Sequence, residues 1–197
     1  MSFWVSLVDA AAVLVIARLL WIAVRVPVLR FAAERGSVRA QLALGNIYGS
    51  GKGADQDYEE AMRWFRKAAE QGSTAAMDNI GVFYTLGLGV PKDDAEAFRW
   101  YMKSAGLGST DGMNSVGHQY LMGDGVEQDE EEAVRWFRKA AELGNPMAQN
   151  NLALSYATGQ GIEKDRDEAV KWFMTAARNG YKEALAALEQ LRKDGVL

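Results

Sequence analysis

The apolar positions of this chain follow two rhythms. Over residues 3–26 (FWVSLVDAAAVLVIARLLWIAVRV) they are nearly unbroken, with only Ser6, Asp9, Arg18 and Arg25 intervening. From residue 37 onward they fall into short blocks with helical spacing; Ala40, Leu44 and Tyr48, four apart, form one stripe. Each such block ends in Gly-x-Gly, and a second block follows that opens with Asp-x-x-Glu and carries a Trp-aromatic pair. The alternation has a period of 36 residues: Trp64, Trp100, Trp136 and Trp172 keep it, as do Tyr48, Tyr84, Tyr120 and Tyr156. Four units follow, at 37–72, 73–108, 109–144 and 145–180, with a partial unit at 181–197 that lacks the aromatic half.

Each unit predicts a helix, a tight turn and a second helix. Ser37, Ser73, Ser109 and Asn145 are placed to accept from first-turn amides, and Pro146 stands where a helix needs no amide partner. The Gly-x-Gly pairs supply positive φ. Asp57/Glu60, Asp93/Glu96, Asp129/Glu132 and Asp165/Glu168 predict a capping box, with the aspartate accepting from the amide three residues on and the glutamate reaching back. Gly72, Gly108, Gly144 and Gly180 end the second helices. Such a pair cannot bury an aromatic stripe alone, so neighbouring units must stack and share a core. The expectation is an all-α solenoid of four helix-turn-helix units over residues 29–197, closed by a polar capping helix in 181–197. Gly45, Gly81 and Gly117, inside first helices, predict close helix approach at a cost of about 1 kcal/mol each against alanine. The tryptophan-aromatic pairs predict core.

The run Ala40, Leu44-Gly45, Tyr48, Gly51-Lys52-Gly53, Asp57, Ala61 and Trp64 to Gly72 resembles the Sel-one-like repeat (SLR) family, a tetratricopeptide-like class of α-solenoids. The resemblance covers 37–180, and residues 29–36 are similar to the unit ending 65–72. Gly112, where other units have alanine, and Ala153, where they have glycine, depart from it. The resemblance implies adaptor work: scaffolding of protein complexes, often at or across membranes.

The apolar segment, 1–28, reads as a domain of its own. Trp4 and Trp21 are 17 residues apart, about 25 Å of helix, and are spaced as interfacial aromatics. A membrane span accommodates this, with Arg18 able to snorkel and Asp9 needing a partner. A helix covering the first repeat and a helix buried in a partner protein are the other readings. Pro27 is expected to break the helix and let the chain turn. Trp4, Asp9, Arg18, Trp21 and Arg25 are thus the candidate membrane- or helix-docking residues. Arg25, Arg30, Arg35 and Arg39 follow the segment and no basic residue precedes it, which predicts a solenoid on the cytoplasmic side, with the periplasmic side as the alternative.

Composition narrows the chemistry. With no cysteine and one histidine in 197 residues, thiolate metal sites, thiol nucleophiles and multi-histidine sites are excluded. A charge of −4 divides into +3 over residues 1–39 and −7 over the rest, so the repeats offer no basic stripe for nucleic acid. GKG at 51–53 lacks the flanking elements of a phosphate loop, and the run 129–132 lacks the alternation of a calcium loop. No catalytic residue, cofactor, metal or small-molecule substrate is expected. Binding must reside where the units differ. Asn79/Phe83, Ser115/Gln119 and Asn151/Ser155, at equivalent i and i+4 positions off the packing stripe, with His118 beside them, form the candidate ladder for an extended peptide along the first helices. The expected function is a non-enzymatic adaptor or accessory subunit of a membrane protein complex; the alternative is a soluble regulatory or envelope-assembly scaffold.

Overall fold

Residues 24–193 are described in the computed structural model. Among them every regular element is a helix: α1 (24–34), α2 (Val38–Ser50), α3 (Tyr58–Glu70), α4 (Thr74–Leu86), α5 (Asp94–Gly106), α6 (Thr110–Met122), α7 (Glu130–Glu142), α8 (Pro146–Thr158), α9 (Arg166–Arg178) and α10 (Lys182–Lys193). This is the all-helical repeat solenoid expected. The chain divides into two compact units, one running to Ala76 and including 88–90, the other comprising 77–87 and the chain from Pro91.

Local chemistry sets each boundary. Ser37, Ser109 and Asn145 accept from the amides of Ala40, Gly112 and Ala148. Gly51, Gly123 and Gly159 close the first helices in the left-handed region, with φ of 68°, 74° and 82°. The aspartates Asp57, Asp93, Asp129 and Asp165 accept from the amides of Glu60, Glu96, Glu132 and Glu168. The reciprocal half of the expected capping box is absent. Asp57, Asp93, Asp129 and Asp165 already donate their own amides to the carbonyls of Tyr48, Tyr84, Tyr120 and Tyr156 in the preceding helix. The glutamates, released from that duty, pair with cations one turn on: Glu60 with Arg63, Glu96 with Arg99, Glu132 with Arg135, Glu168 with Lys171. The turn is therefore tied to the first helix of its own repeat.

In the first unit α1 packs on α2 through Ala33, Leu29 and Val26, against Ala40, Leu44 and Trp64. The helix runs through Pro27, contrary to expectation. Pro27 stands in the first described turn, and its fixed φ is helical. Arg30 donates to the Tyr48 hydroxyl at 2.8 Å and meets Glu60 at 3.1 Å. That contact recurs 108 residues on, where Arg138 donates to Tyr156 at 3.0 Å. α1 thus occupies the place of a second helix ahead of the first full repeat.

In the second unit one core runs through Tyr101, Val116, Phe137, Leu152 and Phe173. The helical glycines do what their positions predict. A Cβ on Gly81 would enter the Tyr101 ring and one on Gly117 would stand 2.7 Å from Phe137; in the first unit Gly45 faces Phe65 likewise. Ala153 is fully buried in the equivalent place, so one methyl fits there. The tryptophan-aromatic pairs divide rather than forming core together. Phe65, Tyr101, Phe137 and Phe173 are buried, whereas Trp100, Trp136 and Trp172 are half-buried. Two of these rings lie under lysines, Lys103 at 5.0 Å from the Trp100 ring and Lys139 at 5.1 Å from that of Trp136. Only Trp64, beneath Arg30, Arg63 and Lys67, is fully buried.

Polar clasps join successive repeats in the second unit. Ser109 donates to Asp78 at 2.8 Å, and Asn145 donates to Asp111 at 2.7 Å. Burial pushes the Asp78 carboxyl up and the nearby Asp111 charge adds to this, while the Ser109 hydroxyl opposes both. Gly112, where a Cβ would approach Asp78 Oδ1 to 2.9 Å, leaves room for that carboxylate.

Candidate functional site

The expected ladder along the first helices is partly dismantled by packing. Phe83 is 6% exposed and belongs to the core, because its position turns inward at the end of α4. Ser155 is 4% exposed, and its hydroxyl donates back to the Asn151 carbonyl at 3.1 Å, which occupies it within its own helix. Both were expected off the packing stripe and neither offers a binding group. Asn79 is half-buried and does not line the groove described next.

Ser115, His118, Gln119 and Asn151 do converge, on a groove of about 330 Å³ within the second unit. α6 contributes Asn114, Ser115, His118 and Gln119 from successive turns, as residues three to five apart on one helix must. α8 supplies Met147 and Asn151. Thr85 and Tyr101 border the groove from α4 and α5, and Tyr181 closes it ahead of α10.

The amides are organised across the helix pair. Asn151 Nδ2 donates to Asn114 Oδ1 at 2.9 Å, and Asn114 Nδ2 reaches the Met147 sulfur at 3.3 Å. Asn114 is 7% exposed and so is held in one orientation. Gln119 is also buried, yet its Oε1 has no hydrogen-bond partner. A buried acceptor left unmatched costs about 1–3 kcal/mol, which a donor entering the groove would recover. Thr85 Oγ1 donates to the Gly81 carbonyl at 3.1 Å and lies 3.5 Å from the Tyr101 hydroxyl. Burial pushes the Tyr101 phenol up, so it is a neutral hydroxyl at physiological pH. No aspartate, glutamate, lysine or arginine lines the groove. Its lining is amides, hydroxyls and the His118 imidazole between a thioether and two phenol rings.

Five of these residues escaped the sequence reading. Tyr181 left the clearest signal, since it stands where Ser37, Ser73, Ser109 and Asn145 cap the first helices. A tyrosine cannot cap, and a broken local rule points to another role. Tyr101 replaces the phenylalanine of Phe65, Phe137 and Phe173, adding a hydroxyl inside a core position. Asn114, Thr85 and Met147 left no such mark. Among the docking candidates, Arg25 is exposed on α1, whereas Trp4, Asp9, Arg18 and Trp21 lie outside the described residues. Among the described residues no cluster of His, Cys, Asp or Glu could hold a metal ion, and no helix is long and apolar enough to cross a membrane.

The Sel1 repeat model matches residues 38–73, 74–109, 110–145 and 146–181, each one residue later than the units read from the sequence. Among solved structures, a protective antigen of uropathogenic Escherichia coli displaying an SLR fold is 38% identical, with TM-score 0.78 over 86% of this chain. A Sel1 repeat protein from Oxalobacter formigenes is 36% identical, with TM-score 0.80 over 85% of this chain. The chain spans 36% of the first and 66% of the second. An immunity protein from Pseudomonas aeruginosa, at 21% identity and TM-score 0.60, covers 81% of this chain and 59% of its own, and shares the fold. No curated protein matches.

Proposed function

The chain belongs to the Sel1 repeat family, and from that premise we propose that it is a non-enzymatic adaptor whose groove holds an extended, uncharged stretch of a protein partner. Sel1 repeat proteins generally mediate protein–protein interaction, and the scaffold is generally non-catalytic. The observation that carries the finer reading is the buried, unmatched Oε1 of Gln119 beside the Asn114–Asn151 pair. An extended peptide presents backbone amides at intervals matching such acceptors, and carbonyls that Ser115 and His118 can serve. The absence of lysine and arginine from the lining disfavours a phosphorylated or strongly acidic segment, whose desolvation no fixed positive charge in the groove would offset.

The adaptor is held at the membrane by residues 3–26, as an accessory subunit of a membrane complex with its repeats in the cytoplasm. The support is the sequence: an apolar stretch with tryptophans at both ends and four arginines immediately after it. Purification of the tagged full chain in mild detergent, with identification of what co-elutes, tests both parts. Gln119→Ala combined with Asn151→Ala should lose the co-eluting partner while the helical circular dichroism spectrum stays unchanged. Retention of the partner by this variant refutes the groove assignment. Extraction of the chain into buffer without detergent refutes the anchor. Carboxyl-terminal fusions to reporters active on one side only decide sidedness, and activity outside alone overturns the cytoplasmic placement.

A further inference from the structure

α1 departs from the second helices of the four full repeats along one stripe. Where those helices carry Glu60, Glu96, Glu132 and Glu168, α1 carries Val24. Where they carry a tryptophan, it carries Val28, and where three of them carry Lys67, Lys103 and Lys139, it carries Phe31. Val24, Val28 and Phe31 are 58%, 59% and 58% exposed. Their i, i+4, i+7 spacing places them on a single face, opposite buried Ala33 and its contact with α2. The glutamate and lysine that edge the tryptophan in three of the full repeats are replaced by apolar residues in α1.

Sequence and charge identify what covers it. In sequence the stripe begins within the apolar segment 3–26, of which Val24 is a part. Arg25 on α1 and Arg35 in the turn that follows it are exposed, Arg35 stacked over the Phe31 ring at 3.5 Å. Neither has an ion-pair partner among the described residues, and Glu34 is the one acidic side chain on α1. Arg30 is turned instead to Tyr48 and Glu60. Apolar residues edged by cations on one helical face are the pattern of a helix lying in the headgroup region of an anionic bilayer.

We propose that α1 docks flat on the membrane surface, with Val24, Val28 and Phe31 in the acyl boundary and Arg25 and Arg35 among anionic headgroups, so that the first repeat is seated on the bilayer and is not hung from a tether. This rests on the reading of the apolar segment as a membrane anchor whose span, bounded by Trp4 and Trp21, ends before α1, and the test separates the two.

The absence of cysteine allows single labels at will. Phe31→Cys, Glu34→Cys and Leu143→Cys, each in the full chain and each carrying a polarity-sensitive dye, are reconstituted with vesicles of phosphatidylcholine alone or with one quarter phosphatidylglycerol. The proposal expects a blue shift at position 31 that exceeds that at 34, is absent at 143, is larger with phosphatidylglycerol, and shrinks when Arg25 and Arg35 are both changed to Gln. Co-sedimentation with vesicles without any shift at 31 overturns the docking and leaves the anchor standing. Equal shifts at 31 and 34 show the helix meeting the bilayer end-on and overturn it too, as do equal shifts in both lipids. A concentration-dependent shift at 31 without vesicles assigns the stripe to a second copy of the chain. Failure to co-sediment with either lipid refutes the anchor itself.

Discussion

Gly161 provides a sharp test of how the repeats are coupled. It is the second glycine of its Gly-x-Gly turn, with φ of 68°, and a Cβ there would collide with the carbonyl oxygen and carbon of Glu130, at the start of the preceding repeat's second helix. Gln160 fixes the same contact by donating to Glu130 Oε1 at 2.9 Å. Alanine at 161 therefore suffers twice. The left-handed backbone costs about 1–2 kcal/mol, and a clash with main-chain atoms, which cannot rotate aside, adds about 1–3 kcal/mol as an overpacking penalty. Gly144 separates the two effects, because its φ is 91° but a Cβ on it would meet nothing within 4 Å. Gly144→Ala should cost only the backbone share, and Gly161→Ala about 1–3 kcal/mol more. At roughly 2–4 °C per kcal/mol for a chain of this size, the difference is visible in a thermal melt followed by circular dichroism. Urea titration read by tryptophan fluorescence checks that one transition is being compared. Equal destabilisation by the two variants would show that the turn does not rest on the preceding repeat, and the account of coupling would fail.

Other perturbations address other parts of the fold. Asp129→Ala should cost about 1 kcal/mol through the lost cap, whereas Glu132→Ala, which removes only an exposed pair with Arg135, should cost about 0–1 kcal/mol; equal losses in urea denaturation would restore the reciprocal capping box. Phe137→Ala should cost about 3–5 kcal/mol as a large-to-small change in the core, and Trp136→Ala distinctly less, because that ring is half-buried under Lys139; a reversed order of melting temperatures contradicts the division of the aromatic pair. The raised pKa of Asp78 means that the folded protein holds a proton that the unfolded chain, titrating near 3.8, has released, so this group adds stability as pH falls from the raised value toward 3.8. Asp78→Asn, which installs the residue found at Asn114 and Asn150, should remove that increment and flatten the melting profile above pH 4; parallel profiles for the two proteins would refute the assignment.

Much of the fold was legible because its determinants are local. A capping serine, a glycine with positive φ and an aspartate at a helix start act within three or four residues, and a 36-residue period repeats each signal until chance is excluded. What failed depended on neighbours in space. The glutamates of Asp-x-x-Glu could not be placed without knowing that the aspartate amide already serves a tyrosine carbonyl in the other helix. The exposure of Trp136, and the burial of Phe83 and Ser155, depended on helix rotation by a fraction of a turn, finer than an i, i+4 pattern resolves. The groove was half legible: Gln119, Ser115, His118 and Asn151 share one face by spacing, but Met147 and Tyr181 meet them only through stacking of separate repeats. Pro27 misled because its fixed φ is itself helical, and in the first described turn of α1 it is tolerated.

The central claim is that a protein partner occupies the groove between α6 and α8. A photo-crosslinking amino acid placed at His118, exposed at the groove's edge, and separately at Arg135, exposed on α7, tests it in intact cells. Illumination should give a discrete covalent adduct from position 118 and none from 135, and the Gln119→Ala, Asn151→Ala background should abolish it. Adducts from 135 alone, or adducts from 118 that persist in that background, would contradict the claim.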